Sequence, residues 1–292
     1  MILEILTEYL PAGLFAGVVA VLVTVSIERW GGRLGGILGT IPSTIVPAAL
    51  GIWAQARAEG AFAQAINTAP AGVLLNALFL YLWRIVPPRL PLWSLRSRLA
   101  AMTGIALTTW TAGALVVVVS VQALARAGLS LPAFGAVTTL VLGAVGLTVT
   151  FHPQPAPRGW SRASLPALLG RGVLAATAVA LAVWLASTRL GLLSGVASVF
   201  PAIFLTTMFS LWLTQGEAVP AGAVGPMMLG STSVALFCVV ATLTFPRLGP
   251  ALGSATAFAC AVLVVTLPGS LWLEARRRAT ARRSASTSSH RR

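Results

Sequence analysis

The sequence predicts an all-α membrane protein, a polytopic bundle of about nine transmembrane helices in two inverted-topology repeats with interrupted helices. Three observations lead to this prediction: a charge-poor composition, apolar runs of membrane-spanning length, and an echo between the two halves. Of the 292 residues, 57% are hydrophobic and only 9% are charged, whereas a soluble domain carries about 25% charged residues. Lipid is therefore the expected solvent for most of the surface.

Apolar runs set the number of predicted spans. A helix needs about 20 apolar residues to cross the hydrocarbon core, and nine runs approach that length. They cover residues 9–27, 34–54, 62–84, 99–122, 129–151, 166–187, 191–214, 218–243 and 251–273. Pro268 is expected to interrupt the last run, and eight or ten spans stay open alternatives. Residues 274–292, with seven arginines, are predicted to form a disordered basic cytoplasmic tail.

The arginines predict the orientation, because cytoplasmic loops are enriched in basic residues. All 20 basic residues are Arg. With nine spans and an inner tail, most of the loop arginines fall inside, including those of segment 84–98, and Arg171 lies just within the following span. The outer loops hold Arg57, Arg126, Arg189 and Arg247. We expect a multi-pass protein of a bacterial cell (inner or plasma) membrane, with the N-terminus outside and the C-terminus cytoplasmic.

A Gly, a Pro six residues later and a Trp eleven residues after that recur in the two halves. The copies are Gly36, Pro42 and Trp53, and Gly195, Pro201 and Trp212. They lie in spans two and seven, which the predicted topology crosses in opposite directions. Repeat one then covers about 9–122 and repeat two about 166–273, with span 129–151 as the connector. Inverted repeats are a recurrent plan of secondary transporters.

Prolines in spans two and seven mark the candidate binding segments. A Pro removes a backbone hydrogen bond, and a break within a membrane must be buried in protein or line a wet cavity. The candidate substrate-binding residues are the two prolines and nearby polar residues: Thr40, Pro42, Ser43, Thr44, Asn67, Pro201, Thr206, Thr207 and Ser210. Gln64 and Asn76 are further cavity candidates. Close helix packing through small residues explains the same pattern and stays the alternative.

Few ionisable groups lie near the spans. Glu28 and Glu217 are candidate carboxylates for coupling to a proton, because charge near the membrane interior is costly and usually functional; solvation at the interface is the alternative. No catalytic residue, metal ligand or cofactor is predicted. The chain has no Asp and lacks HExxH, GxSxG and Walker A motifs, so it is not expected to be an enzyme. The arginines lie between apolar spans and do not line one face of the protein. Nucleic acid is therefore not an expected partner.

By its length and two-half layout, the chain resembles small bacterial inverted-repeat transporters of the drug/metabolite type. The string G-G-x-L-x-x-x-P at 35–42 is also similar to the core of small bacterial membrane proteins of about four spans, with this chain as a fused pair. These resemblances imply an architecture and no substrate. We predict a secondary transporter or permease for an unidentified small molecule, surrounded by the lipid bilayer. The alternative is a non-transporting scaffold, assembly or lipid-handling protein, and a homodimer is left open.

Overall fold

The computed structural model describes residues 9–30, 41–56, 60–152, 165–188 and 190–289. Within these ranges every regular element is helical. The α-helices are α1 (Leu10–Trp30), α2 (Ile45–Gln55), α3 (Ala61–Ile85), α4 (Leu95–Arg126), α5 (Leu131–Phe151), α6 (Leu165–Ser187), α7 (Gly191–Ala197), α8 (Ala202–Gln215), α9 (Ala218–Ala261) and α10 (Leu267–Ser289). A 3-10 turn, Pro87–Arg89, follows α3, and a π-helical turn, Val262–Thr266, joins α9 to α10.

Six helical stretches of the described chain are long and apolar enough to cross a membrane. They are Ala61–Ile85, Leu95–Arg126, Leu131–Phe151, Leu165–Ser187, Gly191–Leu213 and Pro220–Arg276. Two shorter apolar stretches are Leu10–Leu22 and Ile45–Gln55. The predicted helical membrane bundle is therefore confirmed. The count of nine spans and the inverted repeat stay predictions, and the beginning of the second predicted span lies outside the described residues.

The longest apolar stretch folds back on itself at Gly249. This residue has φ 75° and ψ 169°, a conformation that glycine adopts without steric cost. A Cβ added to Gly253 would lie 2.9 Å from the Cα of Phe245, and Thr244 Oγ1 donates to the Gly253 carbonyl at 2.9 Å. In a straight helix, residues eight apart would be about 12 Å apart along the axis. The chain therefore reverses here, between the eighth and ninth predicted spans.

The last part of the chain is helical but not a regular α-helix throughout. A π-helical turn, Val262–Thr266, separates α9 from α10 just before Pro268, so the regular α-helix is interrupted there. Proline crowds the carbonyl four residues earlier, and a widened turn accommodates a local disruption of this kind. Helix α10 continues to Ser289, and the disorder predicted for the tail stays a prediction. Glu274 Oε1 and Arg278 Nε, one turn apart, pair at 3.0 Å, which supports a helix in this region.

Helices α1 and α6 pack against each other through small residues. A Cβ on Gly13 would lie 2.5 Å from the carbonyl oxygen of Ala176, and a Cβ on Gly17 would lie 2.7 Å from that of Gly172. Because rising numbers in α1 face falling numbers in α6, the two helices are antiparallel. Such close backbone approach is characteristic of helix association in lipid.

Helix α5, the predicted connector, lies between α3 and α9. A Cβ on Gly135 would be 3.1 Å from the carbonyl oxygen of Asn67 in α3, and a Cβ on Gly146 would be 2.9 Å from the Cα of Leu229 in α9. Glycine again permits the close approach. The connector therefore joins one helix from each half of the chain.

Each of the two tryptophans of the repeated Gly–Pro–Trp motif packs against a helix of the other half of the chain. The Trp53 ring meets that of Phe245 in α9, with centroids 5.6 Å apart. The Trp212 ring meets that of Trp83 in α3, with centroids 5.8 Å apart. Both contacts are edge-to-face, a favourable arrangement for aromatic rings. Each Trp therefore stabilises the packing of its own half against the other.

Candidate functional site

The helix that carries the second Gly–Pro–Trp copy is broken immediately before Pro201. Helix α7 ends at Ala197, and α8 begins at Ala202. Proline has no N–H to continue the helical hydrogen bonds, and it disfavours the helical conformation at the residue before it. Ser198 Oγ donates to the carbonyl of Gly195 at 2.7 Å, at the end of α7. The discontinuity predicted near Pro201 thus lies at residues 198–201.

Asn76 of α3 forms a hydrogen bond with the non-helical backbone at this break. Its Nδ2 donates to the carbonyl of Val199 at 2.7 Å. Its Oδ1 accepts from Trp110 Nε1 of α4, also at 2.7 Å. All three residues are buried, and an unpaired buried polar group costs about 1–3 kcal/mol. The amide therefore stabilises a non-helical segment inside the bundle. Asn76 was predicted as a cavity candidate, whereas Trp110 was not singled out.

Glycines bring α7 close enough to α3 for this contact. A Cβ on Gly195 would lie 2.0 Å from the carbonyl oxygen of Ala65, and a Cβ on Gly191 would lie 3.1 Å from that of Ala61. No side chain fits at 2.0 Å from a backbone atom, so position 195 requires glycine. The glycine of the echoed motif is therefore a packing residue that sets the position of the break.

Arg171 of α6 binds the hydroxyls that follow the break. Its Nε donates to Thr206 Oγ1 at 2.9 Å, and its Nη2 donates to Thr207 Oγ1 at 2.8 Å. The residue is only 7% exposed, and a charge within a membrane span is costly and usually functional. Sequence reasoning identified both threonines but used Arg171 only for orientation. The signal that it missed was an arginine inside an apolar helix, beyond the first turn.

The other predicted site residues are dispersed. Asn67 does not face the break: its Oδ1 accepts from Thr242 Oγ1 at 3.2 Å, between α3 and α9. Helix α2 packs against α6, whereas the α7–α8 break contacts α3 and α4 through Asn76 and Trp110. Of the remaining candidates, Pro42 is buried, and Ser43, Thr44 and Ser210 are partly exposed. Thr40 lies outside the described residues.

Arg98, in the first turn of α4, joins the two halves of the chain. Its Nε and Nη2 donate to the two carboxylate oxygens of Glu217 at 2.9 and 3.1 Å. Its remaining N–H groups donate to the carbonyls of Pro87 at 2.9 Å, Leu90 at 3.0 Å and Pro91 at 2.8 Å. All five guanidinium donors thus have an acceptor. We call this contact the Arg98–Glu217 latch.

The Arg98–Glu217 latch contains one of the two carboxylates that were predicted to couple to a proton. Glu217, one of the two, is ion-paired in the structure, with 40% of its side chain exposed. Proton coupling through it stays a prediction. The side chain of Glu28, the other candidate, lies outside the described part of the chain.

Arg98→Ala is expected to lower the free energy of unfolding by about 2–3 kcal/mol, because it leaves a carboxylate and three carbonyls without their donor. Glu217→Ala should cost about 1 kcal/mol or less, since its carboxylate is half in solvent and Arg98 keeps its three carbonyl partners. Unfolding in mixed micelles measures both. Arg126→Ala, an exposed arginine at the other end of α4, is the matched control and should change stability by less than about 0.5 kcal/mol. Equal losses from Arg98→Ala and Arg126→Ala would contradict the latch.

The fold and these contacts define an all-helical membrane protein with a broken helix held by a buried polar network. No protein-family model, no curated protein and no solved structure matches this chain. Among the described residues, no three His, Cys, Asp or Glu side chains come together in a way that could hold a metal ion.

Proposed function

We propose that the chain is a secondary transporter or permease for a small solute, built from two inverted repeats. The observation that supports this proposal most strongly is the discontinuous α7–α8 helix, whose freed Val199 carbonyl is bonded by Asn76. Discontinuous helices at the interface of two repeats form the solute sites of such transporters. Irregular backbone within a membrane otherwise has no favourable location.

The register of α1 and α6 supports the inverted repeat. The Gly–Pro–Trp echo relates residues that are 159 positions apart. By this relation Gly13 corresponds to Gly172, and Gly17 corresponds to Ala176. The observed contacts are Gly13 with Ala176 and Gly17 with Gly172, so each contact maps onto the other. A two-fold axis between two helices requires this reciprocity.

The chain reversals and the tryptophans fit the same relation. Gly249, where α9 turns back, corresponds to Leu90, which lies in the connection between α3 and α4. Trp53 corresponds to Trp212, and each packs on a helix of the other half. The tryptophans were used to find the relation, but the chain reversal at Gly249 and the packing of each Trp on the other half were not.

Contacts between helix ends are consistent with the predicted sidedness. Three contacts join loops or span ends that are predicted to lie on the cytoplasmic side: Arg98 with Glu217, Arg84 with the His152 carbonyl, and Arg276 with the Thr150 carbonyl. Two contacts join loops or span ends that are predicted to lie on the outer side: Ser187 with Tyr9, and Phe62 with Phe245. We therefore propose that the N-terminus is outside and that the tail is cytoplasmic.

In this proposal the solute meets the polar groups that follow the break, Thr206 and Thr207, beside the Arg171 guanidinium. The Arg98–Glu217 latch lies on the proposed cytoplasmic side, between the α3–α4 connection and the α8–α9 junction. Opening the site toward the cytoplasm would require this latch to break. Protonation of Glu217 would remove its charge from the latch, which is how this carboxylate would couple a proton to the conformational change.

Side-specific labelling tests the transporter proposal without knowledge of the solute. In a background with Cys238 and Cys260 replaced by Ala, we expect Ser210→Cys to react with a membrane-impermeant thiol reagent from both sides. Adding Arg98→Ala should increase the reaction rate from the cytoplasmic side and lower it from the outside, because the latch favours the outward-facing state in this scheme.

Ser94→Cys is the control, since Ser94 is exposed in the α3–α4 connection. It should react from the cytoplasmic side only, with or without the latch. If Ser210→Cys reacts from neither side or from one side alone in both backgrounds, the chain does not alternate its access. That outcome favours the non-transporting scaffold.

A further inference from the structure

A lateral apolar groove lies between α3, α5 and α9. Its volume is about 400 Å³, within the range of small-molecule sites. The lining residues are Leu74, Leu75, Ala77, Leu78, Tyr81, Val145, Val149 and Met228. The Tyr81 hydroxyl is the one polar side-chain group among them. Leu78 is 41% exposed and Val145 is 36% exposed, so the groove opens sideways toward the surrounding lipid.

The groove and the arginine beyond it together span the depth of one lipid leaflet. The groove follows α3 from Leu74 to Tyr81, a rise of about 10 Å, and Arg84 lies one turn beyond. The ten steps from Leu74 to Arg84 rise about 15 Å along a helix axis. The hydrocarbon core of a bilayer is about 30 Å thick, so 15 Å is the depth of one leaflet. An acyl chain in the groove would therefore reach from the membrane midplane to the surface.

Two arginines lie at the end of this groove. Arg84 Nη1 donates to the carbonyl of Val149, itself a groove residue, at 3.3 Å, and Nη2 donates to the carbonyl of His152. Arg276 Nη1 donates to the carbonyl of Thr150 at 3.2 Å, and its guanidinium lies 4.6 Å from the ring centroid of Phe151. These contacts hold both cations beside the mouth of the groove.

The charge at this end of the bundle favours an anion. The two described carboxylates nearby, Glu217 and Glu274, are paired with Arg98 and Arg278. Each of these carboxylates therefore has an arginine partner other than Arg84. Basic pockets between transmembrane helices on the cytoplasmic side bind the headgroups of anionic lipids.

We propose that the groove binds one acyl chain of an anionic phospholipid from the cytoplasmic leaflet, with its phosphate at Arg84. Such a lipid would fill the space between the connector α5 and both halves of the chain. The choice of leaflet rests on the proposed sidedness, but the site does not depend on transport, because a bound lipid would stabilise the bundle whether or not a solute crosses it.

Lipid retention by the full chain tests this site. The protein is reconstituted in vesicles of phosphatidylcholine with one tenth phosphatidylglycerol and then extracted, and retained lipid is counted by native mass spectrometry. We expect about one retained phosphatidylglycerol, enriched over phosphatidylcholine. Arg84→Gln should weaken phosphatidylglycerol retention about fivefold, as for one arginine at a membrane surface. Leu78→Trp, which places an indole ring in the groove, should lower the retention of phosphatidylglycerol and of phosphatidylcholine.

Matched variants separate this site from general attraction to lipid. Arg126→Gln removes an exposed arginine at the opposite end of α4, and Leu115→Trp changes a residue on α4 that is 59% exposed. Neither should alter retention. Equal retention of the two lipids, or an Arg84→Gln effect no larger than that of Arg126→Gln, overturns the proposal. So does stabilisation of delipidated protein by inorganic phosphate alone, which would indicate a free-anion site.

Discussion

Gly195→Ala is expected to lower the free energy of unfolding by about 3 kcal/mol, because Gly195 makes the closest backbone approach of the glycines that the structure describes. The added Cβ would lie 2.0 Å from the carbonyl oxygen of Ala65. Both sides of this contact are backbone, so no rotamer change can relieve it, and α7 must move away from α3. That movement would also separate the Val199 carbonyl from Asn76.

Gly104→Ala is the matched control for this prediction. Gly104 also lies within a helix, α4, and nothing is within 4 Å of a Cβ added there. Replacing a helical glycine by alanine in open space should be neutral or stabilise by up to about 1 kcal/mol. Unfolding in mixed micelles, together with the yield of folded protein, measures both variants. A Gly195→Ala protein as stable as Gly104→Ala would show that α7 does not lie against α3 as described.

Asn76→Leu is expected to cost about 2–4 kcal/mol. The substitution keeps the size of the side chain but removes the partner of the Val199 carbonyl and of the Trp110 indole N–H, and each unpaired buried group costs about 1–3 kcal/mol. The loss should be selective for the α7–α8 break. We therefore expect faster proteolysis or hydrogen exchange at 198–201 than elsewhere in the bundle.

Asn67→Leu, the same change in the same helix, is the control. Asn67 is also buried, but its partner Thr242 Oγ1 keeps a second acceptor, the carbonyl of Cys238 at 3.0 Å. This variant therefore leaves the Thr242 hydroxyl paired, and it should lose about 1 kcal/mol or less. A cycle of Asn76→Leu with Trp110→Phe should show coupling of about 0.5–3 kcal/mol. Equal losses for the two asparagines, or additive effects in the cycle, would contradict the bridging role of Asn76.

Composition and proline positions predict much of this fold. The scarcity of charge leaves lipid as the only solvent for the surface, and apolar runs locate most of the helices within a few residues. Pro201 predicts the α7–α8 break because proline has no backbone N–H, and this property does not depend on distant parts of the chain. The threonines that follow the break were found for the same reason.

Partners from distant parts of the chain could not be predicted in this way. Asn76 and the Val199 carbonyl are 123 residues apart, and Arg98 and Glu217 are 119 residues apart. Nothing in either local sequence identifies the other member. Arg171 was interpreted as an orientation signal because arginines near span ends are usually interfacial anchors. Its contacts with Thr206 and Thr207 depend on how α6 packs against α8.

The two ends of the last helix show how context changes a local preference. Pro268 interrupts a regular α-helix, but the preceding π-helical turn accommodates it. The arginine-rich tail has a composition typical of disorder, and its first residues continue a formed helix and carry the Glu274–Arg278 pair. Extension of an existing helix avoids the cost of nucleation.

The most direct test of the inverted repeat is the sidedness of two equivalent positions. Arg89 and Leu248 are 159 residues apart, and both are exposed in connections that reverse the chain. With Cys238 and Cys260 replaced by Ala, each position is changed to Cys and labelled with a membrane-impermeant reagent in sealed vesicles of known orientation. Two inverted halves predict that Arg89→Cys reacts only from the cytoplasmic side and Leu248→Cys only from the outside. Reaction of both from the same side would contradict the account.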